Sequence, residues 1–254
     1  MTVRQQTSWS LFLCLVGVVT CASAQTGSTV PTVDTIIARM AQARAENRIR
    51  FCPYVVTREY KLFGRHRDQT RSEVIADVAF APPDSKEYTI RQTNGSSLGG
   101  MIVRRMLASE AKVTKDYAAT DYSPDNYGFR LIGEEEMAGQ RCYVLELFPK
   151  RKDSHLLRGN LWVDANTYRP RRFEGALAKT PSWWVRDVRV AFDYGRVGDM
   201  WLQTGSEASA NVRILGPSTV VSQDIRYKLT EVVVASSASI GGNQHRPRHV
   251  HVPQ

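Results

Sequence analysis

The sequence has few of the residues that most often carry catalysis or hold metals. It contains only four cysteines and five histidines in 254 residues, and no C-x-x-C or G-x-S-x-G motif. His66 and His155 lie in polar segments typical of turns, and His245, His249 and His251 lie in the terminal tail. A hydrolase needs a nucleophile with a base within hydrogen-bond reach. We therefore expect no enzyme activity, no cofactor and no structural metal site.

Long apolar runs are also lacking, apart from Leu11–Val19 near the start. This run is shorter than the roughly 20 residues that a membrane-spanning helix needs. Arg4 precedes it and Ala22-Ser23-Ala24 follows it, which is the pattern of a secretory signal with an A-x-A cleavage site. We expect residues 1–24 to be a signal peptide cleaved after Ala24, and the protein to be exported to the periplasm.

The remaining chain predicts one domain. We expect a short linker at 25–31, a domain over 32–230 and a disordered tail over 231–254, where Ser, Ala, Gly, His and Pro accumulate. With 42% hydrophobic and 23% charged residues, the domain can bury a core. The formal net charge is +9, which fits an acidic partner or an ordinary solvated surface. Nucleic acid is not expected in this compartment, and we expect a monomer.

Two cysteines, Cys52 and Cys142, lie in the predicted domain. In an oxidising compartment a disulfide between them is favoured. It would close a loop of 90 residues and stabilise the fold by on the order of 4 kcal/mol. Two buried thiols remain the alternative.

Two helices are predicted from apolar residues at helical spacing. Thr32 can cap a helix that ends near Arg48. After the polar stretch 94–97, a second amphipathic helix is predicted from Leu98 to Glu110. Its apolar stripe consists of Leu98, Met101, Ile102, Met106 and Leu107. We expect this inserted helix to act as a lid.

The rest of the domain shows the period of two that is typical of strands. Tyr54, Val56, Tyr60 and Leu62 alternate with polar residues. Further strands are predicted near 74–80, 88–90, 129–136, 141–149, 157–164, 168–176, 185–195, 200–213 and 218–229. We expect a mainly antiparallel β (α+β) fold, an incomplete curved β-barrel of about ten strands, with one face apolar and the other solvated.

Two sequence segments resemble those of a known family. Leu161–Arg172 (LWVDANTYRPRR) is similar to a hairpin of the periplasmic lipoprotein-carrier-like group, which includes LolA, LolB and RseB, and Gly198–Leu202 is similar to the start of one of its strands. The first three strands lack the Arg-Pro phrase of LolA itself, so the chain resembles a divergent member. The resemblance implies a half-barrel whose apolar face is covered by helices, with acyl chains held between them. It makes Arg58 the nearest candidate for a polar contact to the lid.

The predicted function is therefore binding or carriage of lipids or lipoprotein acyl chains, in outer-membrane lipoprotein sorting or lipid transport. Transient contact with an envelope membrane or protein is expected. The predicted apolar groove is formed by Tyr54, Val56, Tyr60, Leu62, Leu98, Met101, Ile102, Met106, Val188, Val190 and Phe192. The alternatives are an RseB-like envelope sensor that binds a protein partner and, third, a hydrolase using Glu134–Glu136.

Overall fold

The computed structural model describes residues 30–180, 183, 185–213 and 216–229. The predicted signal peptide (1–24), most of the linker (25–31) and the tail (231–254) lie outside these residues. A compact unit begins at Thr32 and contains every element described below.

The elements follow one another in the order expected from the sequence. Two α-helices and ten strands are described, with a short 3-10 turn at Tyr117–Ala119. The elements are α1 (Val33–Ile49), β1 (Tyr54–Phe63), β2 (Thr70–Ala81), β3 (Ser85–Gly95), α2 (Ser97–Lys115), β4 (Tyr127–Met137), β5 (Gln140–Pro149), β6 (Leu157–Asp164), β7 (Pro170–Leu177), β8 (Val185–Val197), β9 (Met200–Val212) and β10 (Gly216–Leu229).

The ten strands form one antiparallel sheet in the order β3-β2-β1-β10-β9-β8-β7-β6-β5-β4. The first three strands therefore lie together at one side of the sheet. α2 connects β3 to β4 at the opposite edge, and β5 to β10 then follow in order until β10 pairs with β1. β3 and β4 are the terminal strands, so the curved sheet does not close. The predicted incomplete barrel of about ten strands is confirmed.

α1 covers the half of the sheet that contains β4 to β9. Thr32 caps it as predicted, because its Oγ1 accepts a hydrogen bond from the Thr35 amide at 3.3 Å. Ile36 and Met40 pack into a cluster of buried side chains from β4 to β8. Near the end of α1, the Asn47 side chain donates to the Trp201 carbonyl and accepts from the Trp201 amide, at 2.8 and 2.7 Å. These two bonds fix the helix to the start of β9.

α2 covers the other half, where β1, β2 and β3 lie. Its Val103 and Leu107 are buried in a second cluster with the inward-facing residues of β1 and β2. At the start of α2, Gly99 lies so close to β2 that a Cβ there would overlap with the Ser72 side chain. No helix among the described residues is long and apolar enough to cross a membrane.

Candidate ligand-binding face and lid

The four groove residues predicted on β1 lie under α2. Tyr54, Val56, Tyr60 and Leu62 alternate with less buried residues, as the period of two predicts, and all four are buried. They pack with Val103 and other residues of the same cluster. In the described structure this part of the apolar face is filled by the protein's own side chains, so a ligand can reach it only if α2 moves.

The four groove residues predicted on α2 do not share one environment. Ile102 and Met106 are half-buried against the β1–β2 cluster, and Leu98 is half-buried at the start of the helix. Met101 is 41% exposed. The helix is also longer than predicted, since it continues from Glu110 to Lys115.

The three groove residues predicted on β8 belong to the cluster under α1. Val190 is buried there, while Val188 and Phe192 are half-buried. The structure therefore divides the predicted set between two helix-covered clusters. Every residue of β9 from Trp201 to Ala210 is only half-buried, so the middle of the sheet is less completely covered than the parts under the helices.

Arg58 forms polar contacts between the sheet and α2. It points inward with the apolar residues of β1 and is only 7% exposed. Its Nη1 lies 3.1 and 3.3 Å from the two carboxylate oxygens of Glu110 on α2. Its Nε forms a short hydrogen bond to Asp224 on β10, and Lys86 on β3 donates to Glu110 at 2.7 Å. These four residues, Arg58, Lys86, Glu110 and Asp224, form what we call the latch.

A bulge in β10 places the buried acid of the latch. The register of β1 with β10 shifts between Thr57 and Arg58, so that Thr57 pairs with Arg226 and Arg58 pairs with Asp224. The side chain of Asp224 is 2% exposed and also accepts a short hydrogen bond from Tyr227. A buried charge needs such partners, because desolvation without them costs several kcal/mol.

The ionisation of the latch is set by its own charges. Burial would raise the pKa of Glu110, but Lys86 and Arg58 outweigh it and lower the pKa to about 2. Burial would lower the pKa of Arg58, and Glu110 and Asp224 raise it above the usual range instead. Nearby Tyr60 has its pKa raised to about 12 by burial. Near neutral pH Glu110 is therefore an anion and Arg58 a cation.

Sequence reasoning missed three members of the latch as site residues. The position of Arg58 was a usable signal, because it falls in phase with the apolar residues at 54, 56, 60 and 62, and a charge on a buried face implies a partner. Glu110 was named only as the end of the helix. Lys86 and Asp224 carried no signal, because the strand register and the bulge that bring them near Arg58 depend on the assembled sheet.

A second apolar site lies outside the predicted set, between α1 and the start of β4. This open groove has a volume of about 520 Å³, within the range of small-molecule sites. Val33, Ile37, Tyr127 and Phe129 contribute its apolar walls. Lys150 also lines it and donates a short hydrogen bond to the Pro124 carbonyl.

The predicted disulfide is wrong, because Cys52 and Cys142 are both free thiols. Cys52 lies beside β1, with its Sγ 4.0 Å from Met200 Sδ. Cys142 lies in β5 and is buried. β1 and β5 are six strand positions apart in the sheet, and adjacent strands are about 4.8 Å apart. A disulfide requires the two Cα atoms to be within about 7 Å.

The glutamates of the hydrolase alternative are held by other side chains. Glu135 accepts a hydrogen bond from Trp162 Nε1 at 2.8 Å, and Glu134 lies 3.5 Å from Arg141. His155 contacts Asp153 at 3.1 Å in the connection after β5. No hydrogen bond within the described ranges joins these glutamates to a histidine.

Comparison with known proteins gives one matching family model and several solved structures. A family model with the description "-like: Uncharacterized protein" matches residues 84–230, which is more than half of the chain. A search of the curated proteins finds no match.

Several solved structures are similar at low identity. A LolA superfamily protein from Nitrosomonas europaea has a TM-score of 0.42 and 11% identity, over 80% of this chain and 96% of that one. A DUF1329 family protein from Desulfovibrio piger has a TM-score of 0.43 and 14% identity, over 81% and 96%. The MucA/MucB complex of Pseudomonas aeruginosa has a TM-score of 0.25 and 12% identity, over 77% of this chain and 98% of that one.

Proposed function

The chain belongs to the family whose model matches residues 84–230, and from its geometry we propose that it is an exported binding protein or carrier for lipids or lipoprotein acyl chains. The observation that carries this proposal is the ion pair between Arg58 and Glu110, which holds α2 over an apolar sheet face. A polar contact of this kind can break and re-form without loss of the fold, so it suits a lid.

Opening of the lid would expose an apolar surface to which an acyl chain could bind. The sheet would contribute Tyr54, Val56, Tyr60 and Leu62, and the helix Leu98, Ile102 and Met106. Met flexibility suits a wall that must repack around different chains. Val188, Val190 and Phe192 would extend this surface toward the middle strands, and Met101 would join it only if α2 turns.

Binding of an acyl chain would contribute free energy that favours the open lid. Each buried methylene contributes about 0.8 kcal/mol, so ten of them would contribute about 8 kcal/mol. Against this stands the separation of α2 from β1 and β2 and the breaking of the contacts from Glu110 to Arg58 and Lys86. A long acyl chain would therefore offset more of the cost of opening than a short apolar molecule.

The proposed localisation depends on the predicted signal peptide. We propose that residues 1–24 direct export and are removed after Ala24, which would place the domain in the periplasm together with the lipids and lipoproteins of the envelope. The mature N-terminus, read by mass spectrometry on protein recovered from the periplasm, tests this step. An intact Met1 in that fraction would contradict it.

Native mass spectrometry tests the binding itself. Protein recovered after export should carry bound lipid, and delipidated protein should take up a fluorescent fatty acid with saturation. Arg58→Leu is expected to change the amount of lipid retained, while Arg104→Leu, an exposed residue of the same helix-covered half, should behave like the parent. A delipidated, folded protein that takes up neither fatty acids nor lipopeptides would contradict the proposal.

A second function is favoured by β4. This strand is terminal in the sheet, and among the described strands it pairs only with β5. An extended peptide could add to its free edge and place side chains in the groove beside Val33, Ile37 and Phe129. This arrangement supports the RseB-like sensor alternative, in which a protein partner is bound. Ile132→Glu, at an exposed position of β4, should abolish capture of such a partner and leave lipid binding unchanged.

A further inference from the structure

The strand connections at the two ends of the sheet differ in charge. Because every strand is antiparallel to its neighbours, the connections after β1, β5, β7 and β9 lie at one end and those after β2, β4, β6 and β8 at the other. At the first end these four connections carry seven Lys and Arg residues against two Asp residues, and the segment that leads into β4 adds Asp121 and Asp125 near Lys150 and Arg151. The four connections at the opposite end carry one Arg against two Asp. We call the first end the basic rim, defined by Arg65, Arg67, Lys150, Arg151, Lys152, Lys179 and Arg213.

Three of the seven cations form hydrogen bonds or ion pairs within the chain, and Arg213 contacts the Trp183 ring. Arg67 pairs with Glu207, Lys150 with the Pro124 carbonyl and Arg151 with Asn126. The side chains of Arg65, Lys152 and Lys179 are exposed. They lie on three different connections, so the positive charge is spread across the end of the sheet rather than gathered at one point.

An exposed tryptophan lies on the same rim. Trp183, in the connection after β7, is 76% exposed. The guanidinium of Arg213, at the end of β9, stacks on its ring at 5.0 Å. Tryptophan is enriched at membrane–water interfaces, where its apolar body and its N–H are both accommodated.

We propose that the basic rim is the surface by which this protein docks on an anionic phospholipid membrane. The lysines and arginines would face the headgroups, and Trp183 would enter the interface between them. The groove between α1 and β4 opens at this end, since its residues Tyr127 and Lys150 lie where β4 begins and β5 ends. The inference goes beyond the proposed ligand binding, because the rim can contact a bilayer whichever ligand the domain holds.

Vesicle co-sedimentation tests the assignment. The purified protein should bind vesicles of phosphatidylcholine and phosphatidylglycerol, bind pure phosphatidylcholine vesicles far less, and be released by salt. The variant Arg65→Gln/Lys152→Gln/Lys179→Gln should bind the anionic vesicles on the order of 100-fold more weakly, because each cation near such a surface contributes about fivefold.

A matched control separates the rim from the overall charge. Arg39→Gln/Lys112→Gln/Lys115→Gln removes the same charge from exposed positions on α1 and α2 and should weaken binding by less than about threefold. Trp183→Ser should also weaken binding, without changing the salt dependence. Equal losses in the two triple variants, no binding to anionic vesicles, or equally strong binding to soluble polyglutamate, which would indicate an acidic protein partner, would overturn the proposal.

Discussion

Arg58 on β1 and Glu110 on α2 form an ion pair, with 3.1 Å between Nη1 and Oε2, on the face of β1 that also buries Val56 and Tyr60. Arg58 is also bound to Asp224 of the sheet. Glu110 is thus the latch residue contributed by the helix, and it is 29% exposed at its side chain. Substitution of Glu110 acts on the lid while the Arg58–Asp224 pair stays in place.

Glu110→Gln should loosen the lid. The amide keeps the shape of the carboxylate but removes its charge, so the hydrogen bonds from Arg58 and Lys86 lose about 1–2 kcal/mol. Hydrogen exchange of the α2 amides should accelerate about tenfold relative to the parent, while β5 and β6 stay protected. Glu87→Gln, at an exposed position of β3, is the matched control. Unchanged exchange in α2 would show that the latch does not hold the helix.

The latch also predicts a pH dependence. The pKa of Glu110 is lowered to about 2 in the folded protein, from about 4.3 in the unfolded chain. The stability it contributes is therefore fully present above the unfolded value and is lost as the pH falls toward 2. The contribution is on the order of 3 kcal/mol. Urea unfolding of the parent and of Glu110→Gln should differ by a constant amount between pH 7 and pH 5, and the difference should shrink below pH 4. A constant difference down to pH 3 would contradict the assignment.

The start of α2 depends on a glycine. A Cβ at Gly99 would overlap with the Ser72 side chain, which donates to the Asn94 and Ser96 carbonyls. Gly99→Ala should therefore lower the free energy of unfolding by roughly 1–3 kcal/mol. At Gly100 a Cβ would lie 3.5 Å from Thr93 Cγ2, an ordinary contact. Gly100→Ala should be neutral or stabilising by up to about 1 kcal/mol, as measured by urea unfolding. Equal effects of the two substitutions would argue against the close approach.

The free thiols make a prediction opposite to the sequence-based one. Reducing agent should leave Tm unchanged, and peptide mapping without reduction should find Cys52 and Cys142 alkylated separately after unfolding. In the folded protein Cys142 should react more slowly than Cys52, because burial removes access and raises the pKa of its thiol. A linked Cys52–Cys142 peptide would contradict the structure.

Most of the sheet was predictable because strand periodicity is local. The alternation at Tyr54, Val56, Tyr60 and Leu62 predicted the buried face of β1, and Thr32 predicted the start of α1. The latch was not predictable from the sequence, because the bulge that places Asp224 opposite Arg58 depends on two strands more than 150 residues apart. The cysteine pairing failed for the same reason, since sequence spacing does not say where β1 and β5 lie in the sheet.

The groove beside α1 shows a different failure. Val33 and Ile37 are apolar residues of α1 at helical spacing, but they line an open groove beside β4, the last strand of the sheet. Helical spacing of apolar residues predicts which face of a helix is apolar. How much of that face is buried depends on where the sheet ends.

Photocrosslinking of a diazirine-labelled fatty acid, followed by peptide mapping, tests the central claim most directly. If acyl chains bind between α2 and the sheet, label should appear on residues 54–62 and 98–107, and more rapidly in Glu110→Gln than in Glu87→Gln. Label confined to residues 33–41 and 127–129 beside the groove, or no saturable labelling, would contradict the account.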